Sequence, residues 1–222
     1  MTRFFILTLS LLGFSYTIVA QNNNLGGWLM YFGDATVKNS SFKLNYEAQH
    51  RNFDIYSDLN QLLLRGSVQY TGIENLNLAM GYAYVITEKA SKPNSPFYEN
   101  RIFQELVTKQ PFGKITLKHR FRFEQRFFDN QDFRTRLRYQ LDLTVPLYKG
   151  EKGNSFYANA YNEIFINTNK TETVQNVFDR NRVSAGLGYR FNKSFAIQTA
   201  YMSQLFEKGN ERQLTLGLYQ SI

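Results

Sequence analysis

Between Lys114 and Val145 the chain alternates polar and apolar residues through two consecutive stretches with almost no break. In the first, Lys114, Thr116, Lys118, Arg120, Arg122, Glu124 and Arg126 share one parity, and Ile115, Leu117, Phe121 and Phe123 hold the other. In the second, Arg134, Arg136, Arg138, Gln140, Asp142 and Thr144 alternate with Thr135, Leu137, Tyr139, Leu141, Leu143 and Val145. Side chains on a strand point to opposite faces with a period of two, so each stretch predicts a long strand with one ionic and one apolar face.

The same reading predicts eleven strands: Leu25–Gly33, Ser41–Arg51, Leu59–Tyr70, Asn75–Thr87, Tyr98–Gln110, Lys114–Arg126, Phe133–Leu147, Ser155–Asn167, Asp179–Phe191, Phe195–Glu207 and Glu211–Ile222. Short turns are expected at Thr71 to Glu74, Pro111 to Gly113 and Asn192 to Ser194. Longer polar loops are expected at Arg51 to Asp58, Glu88 to Phe97 and Thr168 to Phe178. Sequential hairpins of this kind make an all-β, antiparallel up-and-down sheet, and a sheet this wide removes its exposed edges by closing into a barrel.

Alternation alone fits two barrels. A soluble, lipocalin-like binding barrel turns its apolar face inward, whereas a transmembrane barrel turns it to lipid and keeps the polar face inside. Three observations favour the second. The segments are longer than the usual soluble strand of about five or six residues and long enough for the roughly nine to eleven a tilted membrane strand needs. The apolar face is rich in aromatics, in a chain with 20 Phe and 15 Tyr. The N-terminus, Met1-Thr2-Arg3 followed by an apolar run to Val19 and Ala20, reads as a secretory signal peptide over residues 1–20, leaving 21–222 as one barrel domain. Bacterial single-chain barrels have even strand numbers, so ten or twelve strands are expected, with Leu25–Gly33 unplaced as a plug, a short inserted strand or half of an unrecognised pair.

An exported chain without cysteine carries no disulfide and no thiol chemistry. The net charge of +8, or +7 once Arg3 leaves with the signal, raises the question of nucleic acid. Alternation answers against it, because the arginines and phenylalanines between Arg120 and Phe128 fall on opposite faces and do not form one stacking and phosphate-binding surface.

Trp28, Glu99-Asn100-Arg101, Arg120 to Arg126, Arg134 to Tyr139, Asn162-Glu163-Ile164-Phe165, and Asn181-Arg182 followed by Gly186 to Tyr189 resemble a family of uncharacterised predicted outer-membrane barrels from gram-negative bacteria, catalogued as a domain of unknown function. The resemblance spans nearly all of the mature chain and implies a barrel fold and an outer-membrane location. It implies no activity. The last strand departs from the usual assembly signal by ending in Ile222 instead of an aromatic residue, although Leu214, Leu216 and Leu218 keep an apolar face for the barrel-assembly machinery.

With the charged parity inside, the lumen is expected to be lined by Glu47, Arg65, Glu99, Arg101, Glu105, Lys118, Arg120, Arg122, Glu124, Arg126, Arg134, Arg136, Arg138, Asp142, Glu163, Arg180, Arg182 and Arg190. Arginines reaching carboxylates across a narrow barrel would close it as an ionic core. The excess of twelve cations over six acids in this set favours, as the alternative, a narrow anion-selective channel or a porin-like barrel binding small anionic solutes. Enzymatic constellations are missing. His50 and His119 lie on the apolar parity, and Glu99 and Glu105 are six residues apart on one strand, about 20 Å, too far to share one substrate bond. No enzyme is expected, though a lipid- or peptide-hydrolysing barrel is not excluded. No cofactor or metal is expected, and outer-membrane lipid is the expected surrounding partner.

Overall fold

The structure, a computed structural model, describes residues 25–90, 92–129, 131–150 and 153–222, and for 92–94 the backbone alone. The signal peptide read at residues 1–20 lies outside the described residues. Eleven strands follow in order: β1 (Leu25–Thr36), β2 (Phe42–Asn52), β3 (Leu59–Ile73), β4 (Leu76–Lys89), β5 (Lys92–Phe112), β6 (Ile115–Phe128), β7 (Arg134–Lys149), β8 (Ser155–Asn167), β9 (Phe178–Arg190), β10 (Phe195–Phe206) and β11 (Asn210–Ser221). Each pairs with its sequence neighbour in an antiparallel ladder, and β1 closes the barrel against β11.

The closing pair is parallel, running in register from Leu25 opposite Arg212 to Asp34 opposite Ser221. Eleven strands require this. An up-and-down chain of odd count begins and ends with strands of the same direction, so its last seam has parallel geometry. The segment left unplaced by the even-number expectation is thus a full wall strand, and the count falls between ten and twelve.

Turn chemistry sorts the connections onto two ends. At one, the turn end, Glu74-Asn75 and Gly113-Lys114 reverse the chain in two residues, with Asn75 at φ 59° and Gly113 at φ 62°, the left-handed conformation that tight hairpins use. The loop end carries the segments after β2, β6 and β8. One expected loop is corrected: Glu88 to Phe97 is not a long loop, because the β4–β5 ladder continues past an irregularity to pair Lys89 with Lys92. Hydrogen bonding persists there beyond the stretch where alternation is visible.

Burial places the faces. On β6 and β7, Arg122, Glu124, Arg136, Arg138, Gln140 and Asp142 are buried, while Phe121, Leu137 and Leu141 are exposed. The same inversion holds around the wall, with Glu99, Glu163, Arg182, Gln204 and Gln213 inside and Leu64, Met80, Tyr82, Tyr201 and Leu214 outside. An apolar, lipocalin-like interior is not what this chain forms. Eleven strands spaced about 4.8 Å and tilted about 40° enclose a backbone cylinder of about 22 Å diameter, narrow enough for arginines from facing walls to meet carboxylates near its axis.

Candidate functional site

The lumen is built from inward positions of β5 to β9, with register deciding which charges become neighbours. Across β5, β6 and β7, Glu105 pairs with Arg122 and Arg122 with Arg138, while Arg101 pairs with Arg126 and Arg126 with Arg134. Like charges directly opposite each other are unfavourable unless acids from elsewhere come between them. Glu124 does so at the first pair: its Oε1 accepts from Arg138 Nη1 at 2.7 Å and its Oε2 from Arg136 Nη2 at 2.6 Å. Glu163 on β8 accepts from Arg138 Nη2 at 2.6 Å and Arg120 Nη2 at 2.7 Å, with Arg182 Nη1 at 3.8 Å. Glu99 holds Arg126 in a two-point contact of 2.7 and 3.0 Å and also takes Arg101.

One connected network therefore contains Arg101, Arg120, Arg122, Arg126, Arg136, Arg138, Arg180 and Arg182 against Glu99, Glu105, Glu124, Glu163 and Asp179, eight cations to five acids. Glu47 and Arg65 pair at 3.2 Å beside it, and Lys118 lies 3.9 Å from Asp142 nearer the turn end. Arg134 stands apart. Its guanidinium donates to Gln131 and Thr173 of the loop end, at 2.8 and 2.9 Å, so it sits at the rim and not in the network. Arg190, at the turn-end terminus of β9, is exposed.

Aromatic rings floor the network. Phe165 and Phe103 point inward and are almost fully buried. Arg138 and Arg182 lie 4.4 and 4.6 Å from the Phe165 centroid, and Arg122 and Arg65 lie 4.6 and 5.5 Å from that of Phe103. Trp28 on β1 takes Arg51 at 4.0 Å. A guanidinium over a desolvated ring gains cation–π attraction, so the rings fill space without repelling the charges. Gly81 makes room for one of them, since a Cβ there would come within 2.5 Å of Phe103 Cζ.

Sequence reasoning missed Asp179, Arg51, Phe103 and Phe165. The last three share the charged parity of their strands, and that parity was a usable signal. Asp179 had none: it faces inward because β9 shifts register beside Phe165 and Ile166, leaving it as the unpaired residue of a bulge, from which it accepts Arg136 Nη1 at 2.6 Å. The blocks carrying the resemblance follow the wall's two-faced logic. In Asn162-Glu163 and Asn181-Arg182 the charged member enters the network, while the two asparagines bond each other at 2.9 Å on the outer face.

His50 and His119 both project outward, His119 Nδ1 lying 2.9 Å from the Tyr139 hydroxyl. Among the described residues there is no group of three or more His, Cys, Asp or Glu placed to hold a metal.

Fold and interior together define an up-and-down β-barrel with its polar face inward and an arginine–carboxylate core. The chain belongs to the family described as protein of unknown function (DUF2490), which matches residues 25–215. It is similar to an uncharacterized protein of Methylorubrum extorquens (strain AM1), 33% identical over 161 residues that cover 71% of this chain and 69% of that protein. Neither description names an activity.

Proposed function

We propose that this protein is an outer-membrane β-barrel whose ion-paired lumen closes it near mid-height, so that it serves the envelope as a structural or interaction barrel and not as an open pore. The observation that carries the reading is the inversion of burial: Glu124 is 0% exposed inside while Met80 is 61% exposed outside. In water, such a wall would present a continuous apolar exterior far beyond the few hundred Å² that soluble monomers tolerate. In lipid, the exterior is solvated and every wall strand is hydrogen-bonded on both sides, as a bilayer requires. The export signal read from the sequence of residues 1–20 agrees with that destination.

The test is electrophoresis of cell fractions with and without boiling. A detergent-resistant species in the envelope fraction that shifts on heating is the expected result, and recovery as a heat-indifferent soluble protein overturns the reading.

A second reading rests on a different observation, the three-charge cationic excess of the network. Uncompensated positive charge in a confined channel draws anions. Reconstitution in planar bilayers separates the two: absence of conductance supports the closed core, and conductance with an anion-selective reversal potential supports a narrow anion path.

A further inference from the structure

Among the described residues, Arg120 and Arg122, on successive inward positions of β6, each keep one buried guanidinium nitrogen without an acceptor, as Arg134 does at the rim. Arg122 donates Nε to Glu105 Oε2 at 2.6 Å, with its Nη2 bound to the same oxygen. Its third nitrogen, Nη1, stops 4.0 Å from Glu124 and is unpaired, in a side chain only 5% exposed. Arg120 reaches Glu163 with Nη2, but its Nε stops 3.8 Å from that same Glu105 Oε2 and is also unpaired. A buried donor without a partner is destabilising, the more so when charged, so these two, one facing Glu105 and the other Glu124, mark a place where an acceptor belongs.

The charge around them is also unfinished. Arg65 stacks on the same Phe103 ring as Arg122 and has Glu47 at 3.2 Å, so three cations, Arg65, Arg120 and Arg122, face two acids, Glu47 and Glu105. Glu163 is already shared among Arg120, Arg138 and Arg182.

Both unpaired nitrogens are themselves buried, and of the side chains around them that of Arg120 is nearest to solvent. Toward the loop end lie Glu124 and Glu99, packed with essentially no exposure. Toward the turn end the inward Asn45, Ser67, Ala79 and Lys118 are small or half-exposed, while Val107 beside Arg120 and Asp142 beside Lys118 are buried. On the far side of the lumen the Tyr157 ring packs against Gly188, where a Cβ would fall 2.1 Å from its Cζ, and Phe32 stacks on Tyr219 at 5.0 Å. Arg120 sits at the boundary with 21% of its side chain exposed, and Lys118 and Lys109, paired across β5 and β6, flank the approach.

We infer that the lumen is a basic cup open at the turn end, and that Arg120 and Arg122 at its floor bind a small oxyanion, a phosphate or carboxylate group. This rests on the closed barrel of the first reading and takes up the cationic excess behind the second, since a cup sealed at the loop end holds an anion without conducting it. Guanidinium groups suit planar or tetrahedral oxyanions through paired N–H donors. Glu105 tunes the site: it holds Arg122, stands 3.8 Å from Arg120 Nε and repels the ligand, keeping affinity moderate.

The experiment titrates inorganic phosphate, and separately acetate, into the purified full-length barrel in detergent at constant ionic strength, against chloride. Heat release and the midpoint of heat-induced unfolding are read. Saturable binding and a raised midpoint with phosphate or acetate are expected, and whichever acts more strongly identifies the source group. Glu105→Gln, which removes the repelling charge and no donor, is expected to tighten binding about 10-fold, equivalent to about 1.4 kcal/mol. Arg120→Gln and Arg122→Gln are expected to abolish it. If an arginine variant fails to fold, Glu105→Gln alone decides. Oxyanions indistinguishable from chloride in both the parent and Glu105→Gln overturn the site, water then being the only acceptor. The heat shift of the same preparation reports separately on the membrane barrel, so the two readings fail independently.

Discussion

Glu124 bridges a pair of like charges that the register forces together: Arg122 and Arg138 stand directly opposite on β6 and β7, and the Glu124 carboxylate accepts Arg138 Nη1 at 2.7 Å with Arg122 Nη1 at 4.0 Å. With Arg136 on its other oxygen and no exposure of its own, this one acid holds the centre of the network. Removing one partner of a buried ion pair costs about 3–5 kcal/mol, because the remaining charges stay buried and uncompensated. Glu124→Gln keeps the shape and loses the charge, and is expected to destabilise the folded barrel by about that amount in urea unfolding from lipid vesicles. Lys43→Gln is the control. Its pair with Asp34 is about a third exposed, and its loss is expected to cost about 1 kcal/mol or less.

A second prediction concerns the ring beneath the arginines. A Cβ on Gly81 would fall 2.4 Å from Gly66 O and 2.5 Å from both Phe103 Cζ and Ser67 Cβ, so Gly81→Ala forces the ring and the wall to move together. Overpacking of this kind typically costs about 1–3 kcal/mol. Phe103→Leu on its own opens a void and removes two stacking contacts, with Arg122 and Arg65. The double variant is expected to recover only part of the loss relative to the sum of the two singles, since the smaller side chain relieves the ring contact while the contact with the Gly66 carbonyl remains. Additive losses in the double-mutant cycle would show that Gly66 and Ser67, and not the Phe103 ring, set the cost of the methyl.

The strands whose faces were plainest in the sequence are those with a charge at nearly every inward position. On β6 and β7 the positions from Lys118 to Arg126 and from Arg134 to Asp142 announce their side, because a run of ionised groups is tolerated on only one face of a wall. β4 gives no such contrast. Its inward residues include Ala79, Gly81, Ala83 and Val85, which would suit either face, and only its neighbours fix its orientation. What one strand's alternation does not carry is the stagger between strands, and stagger selects each carboxylate's partners: Glu163 reaches Arg120, two strands away. Asp179 depends on a bulge, which breaks the parity from which a lumen residue is read. The role of β1 was hidden for a topological reason. Even counts put both chain ends on the same side, whereas β1 starts at the loop end and runs parallel to β11.

That parallel seam supports a direct test in a chain with no native cysteine. Leu29 and Leu216 are register partners across β1 and β11, and both face outward. Neighbouring strands lie about 4.8 Å apart, within the about 4.4–6.8 Å separation that disulfides span. Leu29→Cys combined with Leu216→Cys is expected to form an intrachain disulfide under mild oxidation. The cross-linked species should keep its heat-dependent mobility and change migration after boiling only when reduced. A β1 that served as a plug within the lumen would leave both thiols free to alkylation.

The outer face supplies the last prediction, because the same substitution has opposite consequences in water and in lipid. Leu64 on β3 is 47% exposed and looks outward beside Ala48 and Tyr84, its register partners on β2 and β4. On a water-soluble barrel an exposed Leu64→Arg changes stability by no more than about 0.5 kcal/mol and improves solubility. On a membrane wall it places a guanidinium against hydrocarbon, at a cost of about 2–4 kcal/mol near the midplane, declining toward the interfaces. Folding of Leu64→Arg is therefore expected to fail or weaken by that amount in vesicles. Extending the substitution to Val68, four residues along the same outward row, maps depth: the position nearer the midplane suffers the larger loss. Equal and negligible effects at both positions would mean that no lipid touches this face, and the apolar exterior would then need a protein cover instead.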